Sequence, residues 1–143
     1  MKFLGVLAFA LFTSTAMACT NFSGSYRDEQ MGTYTVTQSG CETVTVNSSD
    51  GIETIIADGV YRLSSEDEQV RIMSAAMFVG ANLTIDGKIE YKVPLPQVPA
   101  DKIPARVVTV YNLDSAGNLV MNFSVINSSN QVIANGTTTH QRI

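Results

Sequence analysis

Three features of this chain could carry specific chemistry: two cysteines, one histidine and a short acidic run. Cys19 follows directly on Ala16-Met17-Ala18, and the other cysteine is Cys41. As thiolates they would be nucleophiles or soft metal ligands, and in an oxidising compartment they would pair as a disulfide. His140 stands alone, so a metal site would need carboxylates or thiols around it, and the sequence offers no cluster at ligand spacing. No G-x-S-x-G nucleophile elbow and no glycine-rich phosphate loop accompanies it. His140 therefore reads as structural or surface, with no catalytic residue, no metal ligand and no cofactor expected, and the protein reads as non-enzymatic. Glu66-Asp67-Glu68 lacks the spaced carboxylates and the glycine of a calcium loop. A solvated turn is the plainer reading of it.

The cysteines also speak to maturation. Lys2, an apolar run over 3–12, then Thr13-Ser14-Thr15 and Ala16-Met17-Ala18 form the layout of a cleaved secretory signal, with small residues at positions −1 and −3. As a helix the run would reach about 15 Å, roughly half the hydrocarbon thickness of a bilayer. The sequence thus predicts a signal peptide over 1–18, one domain over 19–143, and a periplasmic or extracellular location without a transmembrane segment. Cys19 would be the first mature residue, and two chemistries compete for it. A lipoprotein signal also cuts before a cysteine and would anchor the chain through acyl groups, although Ala16 stands where such signals usually carry leucine. A Cys19–Cys41 disulfide is the alternative, and lipidation would leave Cys41 without a partner.

Strand register favours the disulfide. Segments 22–27 and 33–39 read as strands around a turn at 28–32. Centring the turn on Gln30 sets Tyr26 opposite Tyr34, Gly24 opposite Val36, Phe22 opposite Gln38 and Cys19 opposite Cys41. Opposed residues share a sheet face. Phe22, Tyr26, Tyr34 and Val36 then point inward, while Ser23, Ser25, Thr35, Thr37 and the cysteines point outward.

Removing a signal from the 143 residues leaves about 125, the size of a single ordinary domain. The formal charge is −4, and loss of Lys2 makes it one unit more negative. An acidic chain with no basic cluster argues against nucleic acid and anionic membrane surfaces as partners. Asn21, Asn47, Asn82, Asn122, Asn127 and Asn135 each precede X-Ser/Thr, the acceptor pattern for N-glycosylation, and read as surface polar residues.

Short β-rich runs separated by turn chemistry fill the rest of the mature chain. Segment 43–47 alternates valine with threonine. Ser48-Ser49-Asp50-Gly51 turns the chain into 52–57, and Asp58-Gly59 favours a tight return into 60–63. Segment 64–69 reads as an exposed loop. Segment 70–79 reads as strand, although Ala75-Ala76-Met77 would also tolerate helix. Leu83, Ile85, Ile89, Tyr91 and Val93 share one face, either of a hairpin with a bulge at Asp86-Gly87 or of one continuous strand. Four prolines over 94–104 forbid a central strand and predict an extended loop. Segments 106–113, 119–127 and 132–141 form a meander whose middle strand buries Leu119, Met121, Phe123 and Val125. About eight to ten sequentially paired strands in so short a chain predict an all-β fold, a single antiparallel up-and-down β-barrel.

Gly24-Ser25-Tyr26 resembles the G-x-W motif that opens the first strand of lipocalin-like, calycin-type barrels, with tyrosine in place of tryptophan. That resemblance implies a barrel-closing pair, in which Arg142 near the end of the last strand covers Tyr26 through a cation–π contact. It also implies an interior that binds a small apolar ligand. Tyr26, Tyr34, Ala76, Phe78, Tyr91 and Phe123 would then line the binding site, with Ala76 and Gly136 leaving space. Avidin-like barrels also open with Gly-x-Trp after a cysteine, but their biotin cage is built of tryptophans and this chain has none. The competing expectation is an envelope or secreted protein-interaction or inhibitor module with a filled core, recognising a protein partner through the loops at 64–69 and 94–104.

Overall fold

The structure is a computed structural model that describes residues 18–143. The signal peptide expected over 1–18 lies outside the described residues except for Ala18. Ten strands follow: β1 (Gly24–Asp28), β2 (Gly32–Ser39), β3 (Thr43–Ser48), β4 (Gly51–Ile56), β5 (Arg62–Glu66), β6 (Val70–Val79), β7 (Asn82–Tyr91), β8 (Pro104–Leu113), β9 (Leu119–Asn127) and β10 (Val132–Arg142). They form one antiparallel sheet in the order β4-β3-β2-β1-β10-β9-β8-β7-β6-β5. The all-β, up-and-down character expected from the sequence is present. Hydrogen-bonded closure is not, because β4 and β5 are the two ends of the sheet.

The first hairpin adopts the expected register, with Gly24 opposite Val36 and Tyr26 opposite Tyr34. Alternation explains why: Phe22, Tyr26, Tyr34 and Val36 are all buried on the inner face, while Arg27, Thr33, Thr35 and Thr37 are exposed. A one-residue slip would turn that whole set outward. The same register brings Cys19 and Cys41 together as a disulfide, with their Cα atoms 5.7 Å apart. A disulfide is consistent with export. Among the described residues, no helix is long and apolar enough to cross a membrane.

Several sequence readings change. Asp58-Gly59 does not fold β4 back onto β5 as a tight hairpin. Gly59 takes a left-handed backbone, φ 73°, and its amide donates to the Ala76 carbonyl at 2.8 Å. Asp58 accepts from the Val60 amide and pairs with Arg62. The link 57–61 thus hands the chain from β4 to β6, and β5 grows along β6. Residues 64–66 consequently belong to β5 and not to a loop. The Asp86-Gly87 alternative resolves as one continuous β7, because Asp86 holds Arg106 on β8 at 2.7 Å and Tyr61 at 2.6 Å instead of making a turn. Asn127 is buried, and its amide group ties Asp101, Ser129 and Gln131 together, so this sequon is no surface residue.

The acidic run is spent on the β5–β6 turn: Glu66 pairs with Arg71 and Lys92, and Asp67 accepts from the Gln69 and Val70 amides. Segment 94–104 holds a turn closed by the Val98 amide on the Leu95 carbonyl and a short 3-10 turn, Ala100–Lys102, before Pro104 opens β8. Gly136 does not leave space, since a Cβ there would sit 2.7 Å from the Phe123 ring that covers it.

Two outcomes follow from this packing. Replacing Cys19 and Cys41 by serine should cost about 3 kcal/mol through the freed loop of 22 residues, read as a fall in the urea midpoint with the far-ultraviolet β spectrum retained. Gly136→Ala should cost roughly 1–3 kcal/mol by overpacking, and Phe123→Leu in the same chain should recover most of that loss in thermal denaturation.

Candidate functional site

Curling of the sheet brings the inner faces of its two arms opposite each other. Phe22, Tyr26, Tyr34, Val36, Val44, Ala76, Leu83 and Leu119 form the buried core there. Beside this core lies a cavity of about 350 Å³. Its apolar wall includes Val46 and Ile55 from β3 and β4, Ile85 from β7 and Met121 from β9. Alternation supplies these residues, since each strand contributes every second side chain. A narrower slot of about 230 Å³ opens between β4 and the 60–64 segment. Glu53, Ile55 and Ile85 line both spaces, so the slot and the cavity meet at these residues.

Three polar side chains converge at the cavity from neighbouring strands. Tyr34 on β2 hydrogen-bonds Nδ1 of His140 on β10, and the rings meet edge to face with centroids 5.6 Å apart. His140 Nε2 lies 3.3 Å from Asp28 Oδ2, at the end of β1. Asp28 itself is held by the turn, its Oδ1 accepting from the Gln30 and Met31 amides at 2.7 Å each. Those amide bonds, Met31 first and Gln30 next, keep the Asp28 carboxyl below the usual carboxylate range. An ionised carboxylate only accepts, so in a neutral imidazole Nε2 carries the proton, Nδ1 accepts, and the Tyr34 hydroxyl donates. Burial, reinforced by Tyr111, Tyr26 and Asp28, pushes the Tyr34 phenol far above its ordinary value. This tyrosine stays protonated and offers the cavity only the lone pairs of its oxygen.

Burial disfavours the Tyr34 phenolate, and the relay links β2, β10 and β1 through side chains. Tyr111 also faces the cavity, its phenol raised by burial and then by the charge of Glu53. No lysine or arginine lines the space. Among the described residues no group of three His, Cys, Asp or Glu side chains could hold a metal ion.

Of the six residues expected to line a ligand site, Tyr34 lines the cavity and Ala76 the slot. Tyr26 is fully buried beneath them, its hydroxyl donating to the Phe22 carbonyl at 2.7 Å. Phe78 stacks on Phe22, with centroids 6.3 Å apart. Tyr91 donates to the Pro104 carbonyl at 2.7 Å, and Phe123 packs over Gly136. The Arg142 guanidinium lies 5.9 Å from the Tyr26 ring centroid and donates to the Ser23 carbonyl. His140, read from sequence as structural or surface, is buried beside the cavity. Its parity with Thr138 on β10 was the available signal, but nothing in the sequence joined it to Tyr34, 106 residues away.

No protein-family model matches the chain, and a search of curated proteins found no relative.

Tyr34→Phe should leave His140 Nδ1 buried without a partner, at a cost of about 1–3 kcal/mol. A double-mutant cycle with His140→Phe should recover part of that cost, because both partners are then apolar. The Asp28 carboxyl is held low in the folded state, so its stabilisation is full above the ordinary carboxylate range and is lost as pH falls through the lower folded value. Asp28→Asn should therefore flatten the acid limb of a plot of thermal midpoint against pH. An unchanged limb would show that the turn does not depend on this charge.

Proposed function

We propose that this is an exported, lipocalin-like calyx, a barrel left open along one seam, whose non-enzymatic role is to bind one small and largely apolar ligand. The observation that carries this reading is the cavity of about 350 Å³ beside a well-packed core. Ligand sites run from about 300 to 1,000 Å³, mostly apolar with a few convergent polar groups. The Tyr34–His140–Asp28 relay and Glu53 supply such groups here.

Two further features support the same reading. Arg142 over Tyr26 corresponds to the cation-covered aromatic that the Gly24-Ser25-Tyr26 resemblance implies. A core filled with side chains, as a pure interaction module would have, leaves no interior space of this size. The segments assigned to such a module are also committed internally, with Lys92 pinning the 67–69 turn and Asn127 pinning the backbone at Asp101.

Uptake of the neutral dye N-phenylnaphthylamine, followed by fluorescence, tests the reading. The mature protein should bind about one equivalent. Val46→Phe places a ring in the cavity and should weaken binding at least about tenfold without lowering the thermal midpoint, because the added atoms enter free volume. Absence of uptake, or uptake indifferent to Val46→Phe, would remove the interior as the binding site.

A further inference from the structure

The polar lining of the cavity has a sign. Its fully charged side chains are Asp28 and Glu53, and neither lysine nor arginine balances them. Asp28 is engaged on both oxygens, by two turn amides on one and by His140 on the other. Glu53 is different. It sits opposite Val46 in the β3–β4 ladder, on the inward face of an end strand, and lines both the cavity and the slot. The ion pairs of the described residues leave it out. Tyr111 lines the same cavity, its phenol raised by burial first and by the Glu53 charge second. Deeper in, the Tyr34 hydroxyl proton is already given to His140, so its oxygen can only accept.

A ligand carboxylate would find no lysine or arginine here, and an imidazole already committed to Asp28 and Tyr34. A ligand ammonium would find a carboxylate without a partner, a tyrosine face and an apolar wall.

We infer that the cavity selects a small apolar amine bound as its cation, with the ammonium on Glu53 beside Tyr111 and the apolar body against Val46, Ile55 and Ile85. The inference rests on the interior being the ligand site, as proposed above. It adds the ligand's charge and the residue that reads it. The position of Glu53, where slot and cavity meet, also makes the open seam between β4 and β5 the way in. A cation entering there passes Arg62, whose charge is already paired with Asp58, and then meets Glu53. Charge-assisted hydrogen bonds exceed neutral ones, and a cation near a tyrosine face gains a further attraction.

The test is displacement of N-phenylnaphthylamine by three probes of similar shape: phenethylamine, phenylethanol and phenylpropionate. The amine should displace the dye at a concentration at least about tenfold below the alcohol, with the acid weakest. Glu53→Gln, on an exposed side chain, should bring the amine to the level of the alcohol, read as the ratio of amine to alcohol displacement within the same variant. Equal displacement by the three probes, or preference for the acid, would overturn the inference while leaving the cavity reading intact. Glu53→Gln that self-associates yet binds the amine as before would also overturn it, marking the carboxylate as an edge charge that deters strand pairing. Failure of the dye itself to enter would overturn the cavity reading, and the inference with it.

Discussion

Four strands precede the 57–61 link and six follow it, and the two groups join edge to edge only where β1 pairs with β10. That ladder is short, with Tyr26 opposite Arg142 and Arg27 opposite Gln141, extended by the Ile143 amide donating to the Ser25 carbonyl. Each such hydrogen bond contributes a net of only about 0.5–1.5 kcal/mol. Burial does the rest. Tyr26 is wholly inaccessible, stacks on Tyr34 with centroids 5.8 Å apart, and lies under the Arg142 guanidinium. The Tyr34–His140–Asp28 relay spans β2, β10 and β1 on the inner face, so one polar chain crosses the join. The relay that bridges the join thus also lines the cavity.

The opposite end of the sheet has the reverse character. β4 and β5 are brought near each other by the link 57–61 and then stay unpaired. Unpaired strands invite association with other strands, and charges along them blunt that tendency. Here Asp58, Arg62 and Glu66 are charged and solvated, and the inward Glu53 prevents the seam from becoming a continuous apolar surface. Strength at the β1–β10 join and openness at the β4–β5 seam give the interior a rigid floor and an accessible side.

Much of the fold was legible because β-structure writes itself in period two. The register of β1 and β2, the full extent of β6 and the limits of β9 follow from alternation bounded by turn residues. Asp58-Gly59 misled because a turn dipeptide specifies a local bend and not the partner of the strand that follows. Its amide went to Ala76 and its carboxylate to Arg62, contacts no local pattern announces. Asp86-Gly87 left hairpin and continuous strand both open for a related reason, since Asp86 serves as a side-chain partner across the sheet. Gly136 was visible as small but not as covered, because Phe123 is its neighbour only across strands.

By itself the sequence determined the all-β class, the antiparallel pairing of successive strands other than β4 and β5, and the first hairpin's register, and it favoured the meeting of Cys19 with Cys41. Each of these rests on near-neighbour geometry, where alternation and turns leave few choices. The meeting of β1 with β10 was implied by the barrel-closing pair Tyr26 and Arg142, whereas the tertiary structure alone decided that β4 and β5 part and that Tyr34, His140, Asp28 and Glu53 surround one cavity. Those outcomes depend on how far a twisted sheet of ten strands curls before its ends meet. Curl is a sum over every strand pair, and no single residue or motif carries it.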